Sequence, residues 1–117
     1  EFERMIRCGR IAYPQPDLSN LGGITPWLKV ASLAQARQLP VTSHGAHDLH
    51  VHLLAAVPNA SYLEVHGFGL ERFQAEPLRF EDGKAVASNA PGHGVDLLPE
   101  LLSPFLVVQR PVFEPVH

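Results

Sequence analysis

The segment "QPDLSNLGGITPWLKVASLAQARQLPVTSH", residues 15–44, decides the fold of this chain. Its central part, residues 24–38, has apolar and small side chains at intervals of three and four and a proline in its first turn, which predicts a helix. The short stretches on either side, residues 10–17 and 39–44, are rich in proline or β-branched residues and are predicted to be extended strands. The segment therefore predicts a strand–helix–strand unit.

The same alternation continues on both sides of this unit. Residues 2–9 are predicted to form the end of a helix that Gly9 terminates. A further helix is predicted to begin with Asp48 as its capping residue and to run through residue 57, followed by a third strand over residues 61–66. Helices that alternate with strands are typical of parallel βα units, so we predict an α/β fold with about three such units.

The pattern changes after Gly69, so we expect the βα units in residues 1–69 and a different C-terminal segment in residues 70–117. Asp82-Gly83 lies between two extended stretches and predicts a β-hairpin. From residue 97 onward the chain is apolar and rich in proline, which predicts an irregular tail.

Composition excludes several classes of protein. With 117 residues and a net charge of −3, the chain is at most one domain and has no basic surplus that would attract nucleic acid or an anionic membrane. No apolar run approaches the roughly 18 residues of a membrane-spanning helix. We therefore expect no nucleic-acid or membrane partner. The single cysteine cannot form an internal disulfide, so we expect a reducing, cytoplasmic environment.

Each of the three predicted strands ends in or near an ionisable residue: Asp17, His44 and Glu64. The carboxyl ends of parallel strands share one edge of the fold, which is where such folds bind ligands. A histidine there can transfer protons near neutral pH, and a carboxylate beside it fixes the orientation of the ring. A structural role remains open for each residue: Asp17 as a loop cap, His44 as a buried imidazole and Glu64 as an ion-pair partner.

The segment 15–44, followed by "LLAAVPNASYLE" (residues 53–64), closely resembles the C-terminal part of the mandelate racemase branch of the enolase superfamily. The similarity covers residues 2–95. In that family the matching segments are the sixth, seventh and eighth strands of a TIM-like, modified (β/α)7β barrel. The resemblance therefore implies that this chain is a fragment, the C-terminal part of such a barrel with a missing N-terminal part.

The resemblance also implies roles for particular residues. Asp17 and His44, 27 positions apart, match the family's His–Asp dyad, with His44 as general base or acid. Glu64, 20 positions further on, matches the acidic residue that contacts the substrate carboxylate or the enolate oxygen. From its position just beyond Glu64, we expect His66 to contact substrate, and a role as a loop histidine is equally open. The family's Mg²⁺ is held by carboxylates on earlier strands, so the metal ligands are expected upstream and none in this chain.

The function that the resemblance implies is removal of the proton α to a carboxylate by a Mg²⁺-dependent enzyme. A sugar acid (aldonate or aldarate) dehydratase is the main expectation, and a racemase or epimerase is the nearest alternative. A noncatalytic remnant or assembly module is the third, because family members generally form homo-oligomers and residues 105–108 form an apolar stretch. The fragment alone is expected to be inactive.

The histidine-rich stretch "DLHVHL", residues 48–53, offers a competing hypothesis. It imitates the metal-binding signature of amidohydrolases, in which His50 and His52 would hold a metal ion. On a helix, however, two residues two positions apart point about 200° away from each other and cannot chelate one ion. We therefore expect His47, His50 and His52 to be loop, helix-surface or packing residues, and His44 to be the catalytic one.

Overall fold

The computed structural model describes residues 1–107 of the chain. These 107 residues form five helices and one two-stranded sheet, in the order α1 (Phe2–Arg7), α2 (Leu18–Leu21), α3 (Ile24–Gln35), α4 (His47–Ala55), β1 (Arg79–Glu81), β2 (Lys84–Val86) and α5 (Pro99–Leu102), with 3-10 turns at Leu70–Phe73 and Ser103–Phe105. None of the helices within residues 1–107 is long and apolar enough to span a bilayer.

Helix α3 confirms the helix predicted from the central segment. Its buried residues recur at intervals of three and four, as an amphipathic helix requires: Trp27, Val30, Ala31 and Ala34. The helix ends at Gln35, three residues earlier than predicted, because Gln38 adopts a left-handed conformation with φ +57°. The N–H of Leu39 then donates to the carbonyl of Ala34 at 2.9 Å, a closing bond typical of helix C-termini.

The hydrophobic core lies between α3, α4 and the extended segment 39–44. It consists of buried side chains from all three: Trp27, Ala31, Val41, Leu53 and Leu54. Burial of apolar surface of this kind contributes on the order of 25 cal/mol per Å² to stability. The core thereby fixes the end of segment 39–44, where His44 lies, against two helices.

Segment 39–44 lies between the other two segments that were predicted to be strands. Val41 pairs in parallel with Ala60, its N–H donating to the Asn59 carbonyl and its carbonyl accepting from Ser61, both at 2.8 Å. On the other side, the Thr42 N–H donates to the carbonyl of Pro14 at 3.1 Å. Within residues 10–17 two prolines remove backbone donors, so the pairing is sparser than in the regular strands that we predicted.

Helix α4 begins differently from the prediction, because Asp48 does not cap it. The capping position is Ala46, and Asp48 lies buried inside the first turn, its carboxylate 3.6 Å from His47 Nε2. The cause is a sharp turn directly after His44: Gly45 has φ +68° and Ala46 has φ +21°. This turn starts the helix at His47, and the helix ends at Ala55 rather than at residue 57.

The C-terminal segment contains the hairpin that Asp82-Gly83 predicts. Strands β1 and β2 pair antiparallel, and both turn residues have positive φ, as a tight hairpin turn requires. Residues 99–105 form short helical turns instead of the predicted irregular tail, since a proline is favoured at the first positions of a helix. The rest of the predicted tail, residues 108–117, lies outside the described residues, and the division of the chain at residue 69 stays a prediction.

Candidate active site

The structure brings Asp17 and His44 together. His44 Nδ1 lies 3.3 Å from Asp17 Oδ2, although the two residues are 27 positions apart in the chain. The His44 side chain is 58% exposed, whereas that of Asp17 is only 16% exposed. Because Nδ1 faces the carboxylate, Nε2 is the ring nitrogen that can exchange a proton with a bound molecule. The geometry is that of a histidine oriented by a carboxylate.

Asp17 is held in place by the helix that follows it. Its Oδ1 accepts hydrogen bonds from the backbone N–H groups of Ser19 at 2.7 Å and Asn20 at 3.3 Å, and its Oδ2 accepts from the Asn20 side-chain amide at 2.8 Å. Asp17 is therefore the cap of α2, whose first residue is Leu18. The capping role and the contact with His44 use the same carboxylate, so the cap fixes the orientation of the dyad.

The pKa of Asp17 lies below its ordinary value of 3.8. Burial raises it, but the hydrogen bond from the Ser19 N–H, the hydrogen bond and charge of His44, and the bond from the Asn20 N–H together lower it by more. The carboxylate is consequently ionised at neutral pH, which is the state that orients and stabilises a protonated imidazole.

This lowered pKa predicts how stability depends on pH. A carboxylate whose pKa is lower in the folded state stabilises the fold above its unfolded pKa, and the contribution disappears as the pH falls through the folded pKa. We therefore expect the urea midpoint of the wild-type protein to fall more steeply than that of Asp17→Asn as the pH decreases below about 4. Equilibrium unfolding at a series of pH values measures this, and parallel curves for the two proteins would contradict it.

Glu64 reaches the same loop from the third extended segment. Its Oε2 accepts a hydrogen bond from the backbone N–H of Gly45 at 2.6 Å. Its own backbone N–H donates to the hydroxyl of Ser43, a fully buried residue, at 2.9 Å. Residues 43–45 thus align the ends of two neighbouring segments. Gly45, which Glu64 binds, directly follows His44, the contact partner of Asp17.

Gly45 lies near both carboxylates of the site. Its N–H binds Glu64, and a Cβ added to it would lie 3.2 Å from Asp17 Oδ2. Its φ of +68° is also a conformation that residues with a side chain rarely adopt. Sequence reasoning missed this residue, although a glycine directly after a histidine at a strand end is a signal for such a turn.

His66 is placed differently from the other three predicted residues. Its ring packs against the ring of His47, with centroids 4.6 Å apart, and against that of Phe68, at 4.1 Å. Both of its ring nitrogens are shielded and have no hydrogen-bond partner among residues 1–107. It makes no hydrogen bond there to the Asp17, His44 and Glu64 group, and its contact with substrate stays a prediction.

His50 is not available as a metal ligand. It is fully buried, its Nδ1–H donates to the carbonyl of Ala46 at 2.9 Å, and its Nε2 accepts from the N–H of Leu18 at 3.0 Å. His52 Nε2 instead contacts the carbonyl of His93 at 3.0 Å. The structure thereby removes the basis of the amidohydrolase hypothesis, and in the described part of the chain no three His, Cys, Asp or Glu side chains form a group that could hold a metal ion.

Comparisons with known proteins identify relatives of this chain. A 3,6-anhydro-alpha-L-galactonate cycloisomerase of Streptomyces coelicolor is 50% identical over 97 residues, which are 83% of this chain and 27% of that protein. A crystal structure of a racemase from Streptomyces coelicolor with bound magnesium is 47% identical with a TM-score of 0.82, covering 88% of this chain and 28% of the other. An L-talarate dehydratase from Polaromonas, crystallised with Mg and L-glucarate, is 37% identical with a TM-score of 0.79, covering 87% and 28%.

The chain thus spans just over a quarter of the length of these relatives. A family model described as enolase C-terminal domain-like matches residues 1–101. Together with the relatives, this match confirms the resemblance to the mandelate racemase branch. The chain therefore belongs to the enolase C-terminal domain-like family of the enolase superfamily.

Proposed function

We propose that this chain supplies the last βα units of a longer, Mg²⁺-dependent barrel enzyme that removes the proton α to the carboxylate of a sugar acid. Dehydration of an aldonate or aldarate is the proposed net reaction. The observation that carries the proposal is the convergence of Asp17, His44 and Glu64, from three successive segments, around the single residue Gly45. A noncatalytic module has no need of an exposed imidazole held by an ionised carboxylate.

His44 is the proton-transferring residue in this proposal. A separate base, proposed to come from another part of the parent barrel, takes the proton from the α-carbon, which leaves additional negative charge on the substrate carboxylate. The electron pair then expels the β-oxygen. His44, protonated on Nε2 and held through Nδ1 by Asp17, gives its proton to that oxygen, so that water leaves. Glu64 contacts the substrate at the oxygen where negative charge develops. It can stabilise that oxygen only as a protonated carboxyl group that donates a hydrogen bond, because an ionised carboxylate would repel it.

Magnesium is proposed from the relatives, two of which were crystallised with it. Residues 1–107 do not bring together a ligand set for a metal ion, so they do not by themselves fit Mg²⁺. We propose that the ligands come from other parts of the parent barrel.

Cycloisomerisation is the competing net reaction, favoured by the 50% identity to a cycloisomerase. The two reactions need the same proton transfers. If the β-oxygen that leaves belongs to a ring, the ring opens and the product is an isomer of the substrate, whereas a free hydroxyl is lost as water. Racemisation or epimerisation also begins with the same α-proton, but it returns a proton to the opposite face.

A panel of sugar acids and their anhydro derivatives, incubated with the full-length enzyme and Mg²⁺, tests the proposal. A product lighter by one water supports dehydration, and a product of equal mass with an opened ring supports cycloisomerisation. In deuterated water, the α-proton is expected to be exchanged for deuterium whenever the deprotonated intermediate is reprotonated to substrate. The 117-residue chain alone is expected to show no turnover, and full activity of the chain alone would contradict its place in a longer enzyme.

Assembly into a homo-oligomer is also proposed. Phe105, Leu106 and Val107 are exposed apolar residues at the end of the described chain, and exposed apolar patches mark interaction surfaces. Light scattering measures the particle mass of the full-length enzyme and of its Phe105→Ser variant, and we expect a smaller mass for the variant. The same oligomeric mass for both proteins would place the interface elsewhere.

A further inference from the structure

We infer that His50, a fully buried histidine with no contact to solvent, is the positioning residue of the Asp17–His44 dyad; the inference rests on the proposed function. His50 lies on α4, six positions after His44, and its ring connects the two loops that carry the dyad. Neither ring nitrogen is free for proton transfer or for a metal ion, so its role is exerted through the backbone.

The first connection runs to the loop of Asp17. His50 Nε2 accepts the N–H of Leu18, the residue directly after Asp17, at 3.0 Å. On the other side of Asp17, the indole N–H of Trp27 donates to the carbonyl of Pro16 at 3.1 Å. The rings of Trp27 and His50 are neighbours, with centroids 6.2 Å apart, and both are fully buried. The backbone is therefore held immediately before and immediately after the dyad carboxylate.

The second connection runs to the loop of His44. His50 Nδ1 donates to the carbonyl of Ala46 at 2.9 Å, because a carbonyl can only accept. Ala46 lies two residues after His44 in the sharp turn with positive φ, a conformation that is unfavourable for a non-glycine residue. The bond to a buried ring helps to hold this turn, and with it the position from which His44 faces Asp17.

The two bonds together determine which ring nitrogen of His50 carries the proton. The ring must carry its proton on Nδ1 and keep Nε2 unprotonated, since one partner is an acceptor and the other a donor. A leucine would fill much the same space but could bind neither partner. The half-buried N–H of Leu18 would lose its acceptor. The Ala46 carbonyl would lose its bond to the ring and keep only the backbone N–H groups of Leu49 and His50, each at 3.0 Å. The site thus requires a group that accepts at one end and donates at the other, and apolar packing alone does not meet this requirement.

Three variants of the full-length enzyme separate the two bonds. Glutamine can place an oxygen near the position of Nε2 and accept from Leu18, whereas asparagine can place an N–H near the position of Nδ1 and donate to Ala46. We expect His50→Leu to lower kcat about 100-fold, the scale of a misplacement by about 1 Å, with KM changed much less. His50→Gln and His50→Asn are each expected to recover part of this loss.

His52→Leu is the matched control, since it removes a histidine from the same helix whose ring contacts His93 rather than the dyad loops. It is expected to keep wild-type kcat. Crystal structures of the wild type, of His50→Gln and of His50→Asn supply a readout that does not depend on the reaction. We expect the distance from His44 Nδ1 to Asp17 Oδ2 to be longer in His50→Gln or His50→Asn, or in both, than in the wild type. If His50→Leu folds, its distance is compared with that of the wild type in the same way.

The inference is overturned if the folded His50 variants keep both the dyad distance and kcat, or if they raise KM alone. It is equally overturned if His52→Leu loses as much kcat as they do. A wild-type enzyme inactive on every sugar acid would refute the proposed function, but the dyad distances in the variants would still decide the role of His50 in building the site.

Discussion

The variant His44→Asn of the full-length enzyme is expected to fold normally and to lose turnover by about 10³-fold or more. General acid–base catalysis by one positioned side chain contributes about 10²–10⁴-fold, and asparagine cannot exchange a proton near neutral pH. Because the His44 side chain is largely exposed, its replacement removes little packing. Steady-state kinetics on the best sugar acid, with circular dichroism and thermal unfolding alongside, measure both parts of the expectation.

His52→Asn provides the matched control for this experiment, as the same substitution eight residues further along the chain. It is expected to retain wild-type turnover. Near-normal rates in His44→Asn would end the assignment of this histidine as the proton-transferring residue. So would a crystal structure of the enzyme with substrate in which His44 Nε2 points away from the reacting carbon and oxygen atoms.

The variant Gly45→Ala is expected to lower kcat about 100-fold and to destabilise the protein by about 1–2 kcal/mol. The loss of stability arises because alanine must adopt the left-handed backbone of Gly45. The loss of activity has a different cause: the new Cβ would lie 3.2 Å from Asp17 Oδ2, so either the carboxylate or the loop has to move. A displacement of about 1 Å in a catalytic group is enough for a change of this size.

Gly9→Ala separates these two causes. Gly9 has nearly the same φ, +65°, but nothing lies within 4 Å of a Cβ added there. This variant is therefore expected to show a similar loss of stability with unchanged kcat. Equal kcat in Gly45→Ala and Gly9→Ala would mean that the contact between residue 45 and Asp17 does not matter for catalysis.

The sequence was sufficient to predict helix α3, the parallel arrangement around Val41, and the hairpin at Asp82-Gly83. These features depend on local periodicity and turn chemistry, which a single sequence displays directly. It also predicted that Asp17, His44 and Glu64 converge, because strand ends share an edge in parallel α/β folds. That convergence is in the structure, although the catalytic roles of the three residues remain proposals.

The features that sequence reasoning missed depend on the exact backbone path and on contacts with particular backbone groups. Asp48 looked like a cap, but the tight turn at Gly45 moved the start of α4 before it. His50 looked like one more imidazole in a histidine-rich stretch, and its role became visible only when Leu18 and Ala46 were placed beside it. The periodicity of a sequence does not indicate which backbone group, 32 residues away, a side chain will bind.

The bonds from Trp27 and His50 to the loops on each side of Asp17 have an evolutionary consequence. They end on main-chain atoms, and apart from the N–H that proline lacks, such atoms are present whatever side chain a position carries. Mutations of the side chains around the dyad can therefore accumulate without removing the backbone groups that Trp27 and His50 bind. Under the proposed function, an ancestral enzyme with this arrangement can give rise to descendants that act on different sugar acids and keep the same Asp17–His44 dyad.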